Sequence, residues 1–520
     1  MSSHPSQSPG DTGNTRNPGI ADPVSAAAQQ LMALLDLLTG KKDSPEPSGV
    51  APDPGPGQLL DAMNSLLSAM NRQWPLQADL HERHVYNPSG PGALAFGDDV
   101  MGSVLRGIVN DEQRIMAVSD DKALHEHRHA LSLVPARPIV IHVEVQPNKS
   151  PHCGALVVLC FAFAVAHAIR RRVQNQLFIN LEVSVEVALI DTAPAKPIWF
   201  YHDGVLYQKS LRDVHNALTE HLGEYNDILT HLSSWSGIDF HVTAQAQFFN
   251  HPYMPRFIQY LASRHRTIGS QLSPKHGTLG LSAACPAEGC QLADKRGRMT
   301  QYRELPSDQA SSVPQGGATS ASAFVSPSST TTPIQLIFNC PKHGPHILEV
   351  GRPGNTHWAN LLEADGPART LLQSMVHMTD IFAHHVLVTG ADRAGTYHET
   401  TLLRPLAEWT ATMTGDGIWE NARGRMPHIL YAPLVTDWSG ARLCFGSTAS
   451  SYWSTSAWAR SSRLMRYEFG DDGLRRLWEE VLRWVADPKK VFRCYSVLYL
   501  RRIMEGAHWP VEHCTADAVG

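Results

Sequence analysis

Apolar and polar positions alternate most sharply between Pro138 and Arg172. Ile139, Ile141, Val143 and Val145 take turns with Val140, His142 and Glu144, the period-two pattern of a half-buried strand. Pro147, Asn148, Ser150 and Pro151 interrupt it with loop formers and helix-starting residues. After Gly154 an apolar run of Ala, Leu, Val and Phe continues to Ile169 and is closed by Arg170, Arg171 and Arg172. That run is too long for a strand. The pattern predicts strand, loop and helix, the first crossover of a parallel α/β domain.

The same signals recur downstream. Leu177–Ile190 predicts a strand. Ser210–Leu232 predicts a helix, with a Ser210/Asp213 capping box and Leu211, Val214, Leu218 and Leu222 as its buried stripe. Ile238–Val242 reads as a short strand and Tyr253–Ile268 as a helix. After a break, Ala368–Phe382 predicts a helix, and His385–Thr389 a strand running into Gly390-Ala391-Asp392, with His398 opening the next helix. Pro427–Leu434 is a further strand and Thr436–Ser451 a loop. Leu474, Leu477, Trp478, Val481, Leu482 and Val485 form an amphipathic stripe, and Val491–Met504 a last helix. Upstream, Val24–Leu38 and Leu59–Met70 have helical spacing and flank a Pro-rich linker. They can pair with each other, with a second copy in a homodimer, or with the core.

The organisation that follows is a tail over 1–57, a helical and mixed region over 58–137, and an α/β domain split into 138–280 and 351–451. An insert occupies 281–350, with a Ser/Thr/Gly-rich excursion at 306–332, and a helical region occupies 452–520. A chain of 520 residues, 42% hydrophobic, can build a large core. Its net charge of −5 argues against bulk nucleic-acid affinity. Arg170, Arg171 and Arg172 are a local basic patch that fits phosphate contacts or a solvated helix end. No basic segment leads into an apolar core at the start. The run Ala155–Ile169 is shorter than the ~18 residues of a membrane span. The expectation is a cytoplasmic protein that does not enter a membrane.

Two features carry candidate chemistry. At the first crossover, unpaired N–H groups at the helix start suit an anion or a developing negative charge, and His152 and Gly154 stand there. In the insert, Cys285 and Cys290 bracket a short turn and Cys340-Pro341-Lys342-His343-Gly344 forms another. Cys285, Cys290, Cys340 and His343, with His346 as the alternate fourth ligand, suit a closed tetrahedral structural zinc site. The eight cysteines otherwise read as thiols rather than disulfides. The alternating His125, His127 and His129 sit in a charged stretch and read as solvated.

The order of these parts resembles the catalytic core of class I aminoacyl-tRNA synthetases, the lysyl type above all, over roughly Pro138–Ser451. The resemblance implies a Rossmann-like (HUP) parallel sheet with helices on both faces, a zinc-ribbon-like insert and C-terminal helices. His152 and Gly154 match the first His and the Gly of the His-x-Gly-His signature, with Ala155 where the second His belongs. Gly390, Asp392 and His398 match the ribose loop. Arg442-Leu443-Cys444-Phe445-Gly446 stands where the family has Lys-Met-Ser-Lys-Ser, and both lysines are missing. Such groups contribute ~3–4 kcal/mol each to a transition state, so their loss implies poor activation of amino acids by ATP. The chain also looks too short for the usual anticodon-reading domain.

A synthetase core without ATP activation resembles tRNA-dependent cyclodipeptide synthases, the fungal arginine-containing branch in particular. The resemblance implies arginyl-tRNA and a second aminoacyl-tRNA as substrates. Ser150 or Cys153 would accept the acyl group, with His152 as base or positioning group. Asp392 or Glu144 would pair with the guanidinium, and Arg170, Arg171 and Arg172 would touch the acceptor stem. A divergent ATP-using ligase and a non-catalytic tRNA-binding protein remain alternatives.

Overall fold

The computed structural model describes residues 85–86, 100–102, 104–105, 107–109, 111, 137–177, 181–305, 333–352, 354–412, 425–437, 466–491 and 493–506. The two upstream helices, the run holding His125, His127 and His129, the 306–332 excursion and Arg442 with its loop lie outside them.

The elements that build the centre are β1 (Val85–Tyr86), β2 (Ile139–Val145), α1 (Cys153–Leu177), β3 (Val183–Leu189), α2 (Thr219–Ser236) and β4 (Phe240–Ala244). They continue with α3 (Gly366–Thr379), β5 (His384–Gly390), β6 (His428–Ala432), α4 (Arg466–Val485) and α5 (Val497–Glu505). The strands form one sheet in the order β1-β6-β5-β2-β3-β4, every neighbouring pair parallel. The expected Rossmann-like parallel sheet is thus observed. Counted from β2, the chain winds outward through β3 and β4, then returns to lay β5 and β6 on the other side.

Strand alternation separates two cores. Ile139, Ile141, Val143 and Val145 of β2, with Val386, Val388, Leu430 and Ala432, pack on α1, α2, α4 and α5. Leu387, Ile429 and Tyr431 face the opposite way, onto Leu371, Leu372 and Met375 of α3 and the helix Met254–Ser263. Helices therefore cover both faces.

Several boundaries differ from the sequence reading. Helix α1 runs past Ile169 to Leu177, so Arg170, Arg171 and Arg172 lie within it rather than at its end. At its full length it is apolar enough to cross a membrane, which corrects the argument from shortness. Of its most apolar window, 67% is buried inside the protein, against the sheet and α4.

The expected helix Ser210–Leu232 begins only at Thr219. Ser210 makes no side-chain cap on the 3-10 turn Leu211–Asp213. Its buried hydroxyl instead donates to Glu363 Oε1 at 2.5 Å, in a network shared with Lys295. Tyr253–Ile268 is two helices, Met254–Ser263 and His265–Leu272, parted at Arg264. A hairpin that the hydrophobic pattern did not predict, Pro194–His202 with Val205–Ser210, turns at Asp203-Gly204, both with positive φ.

The insert pairs Gln301–Glu304, Ile334–Cys340 and Gly344–Val350 as an antiparallel sheet. Its cysteines pack against Val205 and Tyr207 of the hairpin.

Candidate functional site

The windings from β2 and β5 leave in opposite directions, so the carboxyl ends of these neighbouring strands part and leave a crevice. This is where open α/β sheets bind ligands. The crevice is a cleft of about 390 Å³ whose walls include Glu144, Lys149, His152, Gly154, Asp392 and Arg393. Residues that the sequence assigned to two separate crossovers, His152 and Gly154 on one side and Gly390 and Asp392 on the other, share it.

His152 closes the amino end of α1. Its Nδ1 accepts from the backbone N–H of Ala155 at 3.3 Å, which satisfies one orphan donor of the first turn. Burial, then the charge of Lys149, push its pKa down to about 3. The ring is neutral at physiological pH, with Nδ1 engaged as an acceptor. Nε2 therefore carries the proton, and His152 is not arranged as a base at Nδ1. A Cβ on Gly154 would press on the His152 ring, at 3.2 Å from Cε1 and Nδ1.

Glu144 is not waiting for a substrate guanidinium, because the protein supplies two. Arg369 of α3 donates from Nε at 3.1 Å and Nη2 at 3.4 Å, and Arg393 from Nη1 at 3.2 Å. Burial works against the charged carboxyl, but the two cations outweigh it and hold its pKa at about 2. Arg393 was missed by the sequence reading, which stopped at Asp392. It stands in the 3-10 turn Ala391–Arg393 that continues β5 and brings a cation to the cleft wall. A Cβ on Gly390 would meet the Asp392 carboxylate, which would have to turn aside.

Ser150 lies beside the cleft, between Lys149 and His152 of its wall but not itself among the lining residues, and donates its hydroxyl to Glu224 Oε1 at 2.8 Å. His221 Nδ1 lies 3.5 Å from the same hydroxyl and 3.6 Å from Glu224 Oε1. Both partners lie one turn apart on α2, and neither was singled out from sequence. Cys153 behaves oppositely. Its thiol is fully buried, and burial pushes its pKa up to about 12 despite the helix start. A helix start ordinarily lowers a thiol's pKa, and here burial outweighs that effect.

Four further expected residues are placed elsewhere. His398 is buried, with Nδ1 2.9 Å from the Tyr431 hydroxyl, and is not among the residues lining the cleft. Burial, then Arg393, push its pKa to about 3. Arg170 donates to the carbonyls of Gly237 at 2.6 Å and Ser236 at 3.3 Å, closing the carboxyl end of α2. Arg171 is exposed and Arg172 half-buried.

Cys285, Cys290, Cys340 and His343 converge, their ligand atoms all within 4.8 Å of one another. Cys285 Sγ is 3.4 Å from His343 Nδ1, and Cys290 Sγ 3.7 Å from Cys340 Sγ. Burial raises the Cys340 pKa, but the backbone N–H groups of Lys342 and His343 outweigh it and bring the thiol to about 7. Three buried soft thiols beside the exposed imidazole of His343 can hold a metal ion. His346, the alternate ligand, is not part of the group.

No family model matches the sequence, and the comparison with curated proteins finds no match. Among solved structures the chain overlaps a Campylobacter jejuni protein described as a presumed arginyl-tRNA synthetase. The two are 9% identical with a TM-score of 0.28, over 71% of this chain and 67% of that one. It also overlaps a glutamate-tRNA synthetase from Elizabethkingia anophelis, at 9% identity and a TM-score of 0.22, over 59% of this chain and 52% of that one. Overlaps this loose carry no argument about activity. The class of the protein, a doubly wound α/β fold of Rossmann type, rests on its own strand order and on the cleft at the switch point.

Proposed function

We propose that the protein is a tRNA-dependent cyclodipeptide synthase that takes arginine from arginyl-tRNA and a second residue from another aminoacyl-tRNA. The observation that carries this reading is the Ser150 hydroxyl, bonded to Glu224 with His221 beside it, at the amino end of α1. Ser150 Oγ attacks the ester carbonyl and its proton passes to the Glu224 carboxylate. The carbonyl–oxygen bond to the tRNA ribose breaks, and the ribose hydroxyl leaves with a proton, giving an acyl-serine. The α-amine of the second aminoacyl-tRNA then attacks that acyl carbon and frees the serine. The resulting dipeptidyl-tRNA closes on itself when its free amine attacks the remaining ester. Each carbonyl arrives activated as an ester, so no ATP is consumed.

The N–H groups at the start of α1, Lys149 and Arg393 supply positive potential for an oxyanion or phosphate. His152 Nε2–H orients the ester. With Glu144 held by its own arginines, Asp392 is the carboxylate assigned to the substrate guanidinium. Arg171 and Arg172 are assigned to acceptor-stem phosphates, without sequence reading. Cys285, Cys290, Cys340 and His343 are assigned a structural zinc ion, since four protein ligands leave no open position.

Incubation with labelled arginyl-tRNA, ATP omitted, tests the reading. Wild type and Cys153→Ala should trap aminoacyl-enzyme and yield a cyclic dipeptide by mass spectrometry, and Ser150→Ala should do neither. Loading of label by Ser150→Ala would overturn the assignment. Amino-acid-dependent pyrophosphate exchange would point to an ATP-using ligase instead.

A further inference from the structure

A second cavity, of about 310 Å³, opens on the sheet face that carries α3. Its lining includes three histidines from three elements, His142 of β2, His377 of α3 and His385 of β5. His142 Nε2 and His385 Nδ1 face each other at 2.8 Å. The outer nitrogen of each ring meets a carboxylate: His142 Nδ1 is 3.7 Å from Glu186 Oε2, and His385 Nε2 is 3.1 Å from Asp380 Oδ2. The His377 ring lies against both, with centroids 3.9 Å from His142 and 4.4 Å from His385. His377 is 8% exposed, and its Nδ1 is buried with no hydrogen-bond partner. One nitrogen from each of the three rings lies within 4.8 Å of the others.

With the rings neutral, hydrogen bonding accounts for this arrangement poorly, and a proton added to His385 would bridge His142 and Asp380 but leave His377 Nδ1 unmatched. If His142 donates from Nε2 to His385, its Nδ1 turns a lone pair toward the Glu186 carboxylate. If His142 instead donates to Glu186 and His385 to Asp380, two lone pairs confront each other at the centre. Either way the buried Nδ1 of His377 stays unsatisfied, which costs ~1–3 kcal/mol. A cation at the centre resolves all three difficulties. It takes a lone pair from each ring, leaves the outer N–H groups on Glu186 and Asp380, and balances the two negative charges. Imidazoles whose second nitrogen is held by a carboxylate are the usual company of a bound metal. Metal–nitrogen bonds of ~2.0–2.1 Å in tetrahedral geometry need nitrogens ~3.3 Å apart. The central pair would open by about half an ångström, and the His377 ring, now stacked on both others, would turn its Nδ1 out of the stack toward the ion. The remaining charged neighbour in the cavity, Arg369, is already bound to Glu144.

We propose that His142, His377 and His385 bind a divalent transition-metal ion, zinc above all, with Glu186 and Asp380 orienting the outer nitrogens of two of the rings. Three protein ligands leave a fourth position facing the cavity, where water or an oxygen of a small anionic ligand can bind. This is the open kind of site, in contrast to the closed thiol cluster. The inference does not depend on the acyl-transfer reading.

The test uses the full chain, stripped by a chelator, reloaded with Zn²⁺ or Co²⁺ and freed of excess metal. Wild type should retain one metal equivalent more than the thiol cluster holds, and with that cluster disabled by Cys340→Ser the retained metal should show only nitrogen and oxygen neighbours in X-ray absorption and, as Co²⁺, no sulfur charge-transfer bands. His377→Gln should lose that equivalent while leaving any thiol-bound metal in place. Asp380→Asn, which keeps all three ligands, should weaken it 10–100-fold. If His377→Gln fails to fold by circular dichroism, Asp380→Asn alone decides. The inference is overturned if wild type retains only sulfur-ligated metal or none. It is also overturned if the folded variants hold the metal as tightly as wild type.

Discussion

Glu144→Gln is the sharpest probe of how the cleft is held together. The substitution keeps the shape and removes the charge that Arg369 and Arg393 share. Glu144 is 11% exposed and Arg369 4%, so solvent screens the pair little. A carboxyl moved from 4.5 to about 2 corresponds to about 3 kcal/mol of stability at neutral pH. Because the folded pKa is depressed, that contribution is present in full above pH 4.5 and lost as pH falls toward 2. At pH 3.5 the unfolded chain is mostly protonated at this site and the folded one is not, so ~1.4 kcal/mol is already gone. The variant should therefore be ~3 kcal/mol less stable than wild type at pH 7, since it strands a buried guanidinium. The gap should narrow as the buffer is taken from pH 5 to pH 3.5. Urea denaturation followed by tryptophan fluorescence measures this. A gap below about 1 kcal/mol at pH 7, or one that does not change with pH, would refute the clamp.

Other outcomes follow from single contacts. Arg170→Met should cost ~1.5–3 kcal/mol, by losing charge-assisted bonds to the carbonyls of Gly237 and Ser236, and leave tRNA affinity unchanged. Arg171→Ala should do the reverse, sparing stability and weakening tRNA retention in filter binding at low salt. Chelation of a zinc-loaded sample, or Cys340→Ser, should lower the melting temperature and expose the strands Ile334–Cys340 and Gly344–Val350 to hydrogen exchange, with readdition of Zn²⁺ restoring wild type only. Iodoacetamide at pH 8 should modify the exposed Cys494 and leave Cys153 untouched in peptide mapping, because the Cys153 thiol is buried with a pKa near 12.

How far the sequence could be read depended on the range of each interaction. Strands β2, β5 and β6 and helices α1 and α3 were legible because alternation and apolar runs are local. The thiol cluster was legible because each knuckle is a local turn, although Cys290 and Cys340 are separated by the excursion. Positions that depend on distant partners were not legible. Ser210 looks like a cap beside Asp213, but Glu363, 153 residues away, takes its hydroxyl. Glu144 looks like an unsatisfied acid until Arg369 and Arg393 fold onto it from more than 200 residues downstream. The missed hairpin did leave a local signal: Asp203-Gly204 between paired strands is the favoured two-residue turn.

The even positions of β2 carry the deeper lesson. His142 and Glu144 alternate with Ile141, Val143 and Val145, and such alternation ordinarily means that the polar side faces water. Here that side lies under α3, and His142 is only 8% exposed. Neighbouring strands repeat the exchange, with Glu186 level with His142 on β3 and His385 on β5. Burying Glu144 and two imidazoles where Val or Leu would pack costs several kcal/mol unless each finds a partner. Glu144 finds two arginines, whereas the imidazoles find each other and still leave His377 Nδ1 unmatched. Replacing the whole polar set by apolar residues would remove these desolvation costs, whereas removing one partner strands the others. Arg369 joins the two polar sites, since it binds Glu144 at the cleft and lines the histidine cavity behind it.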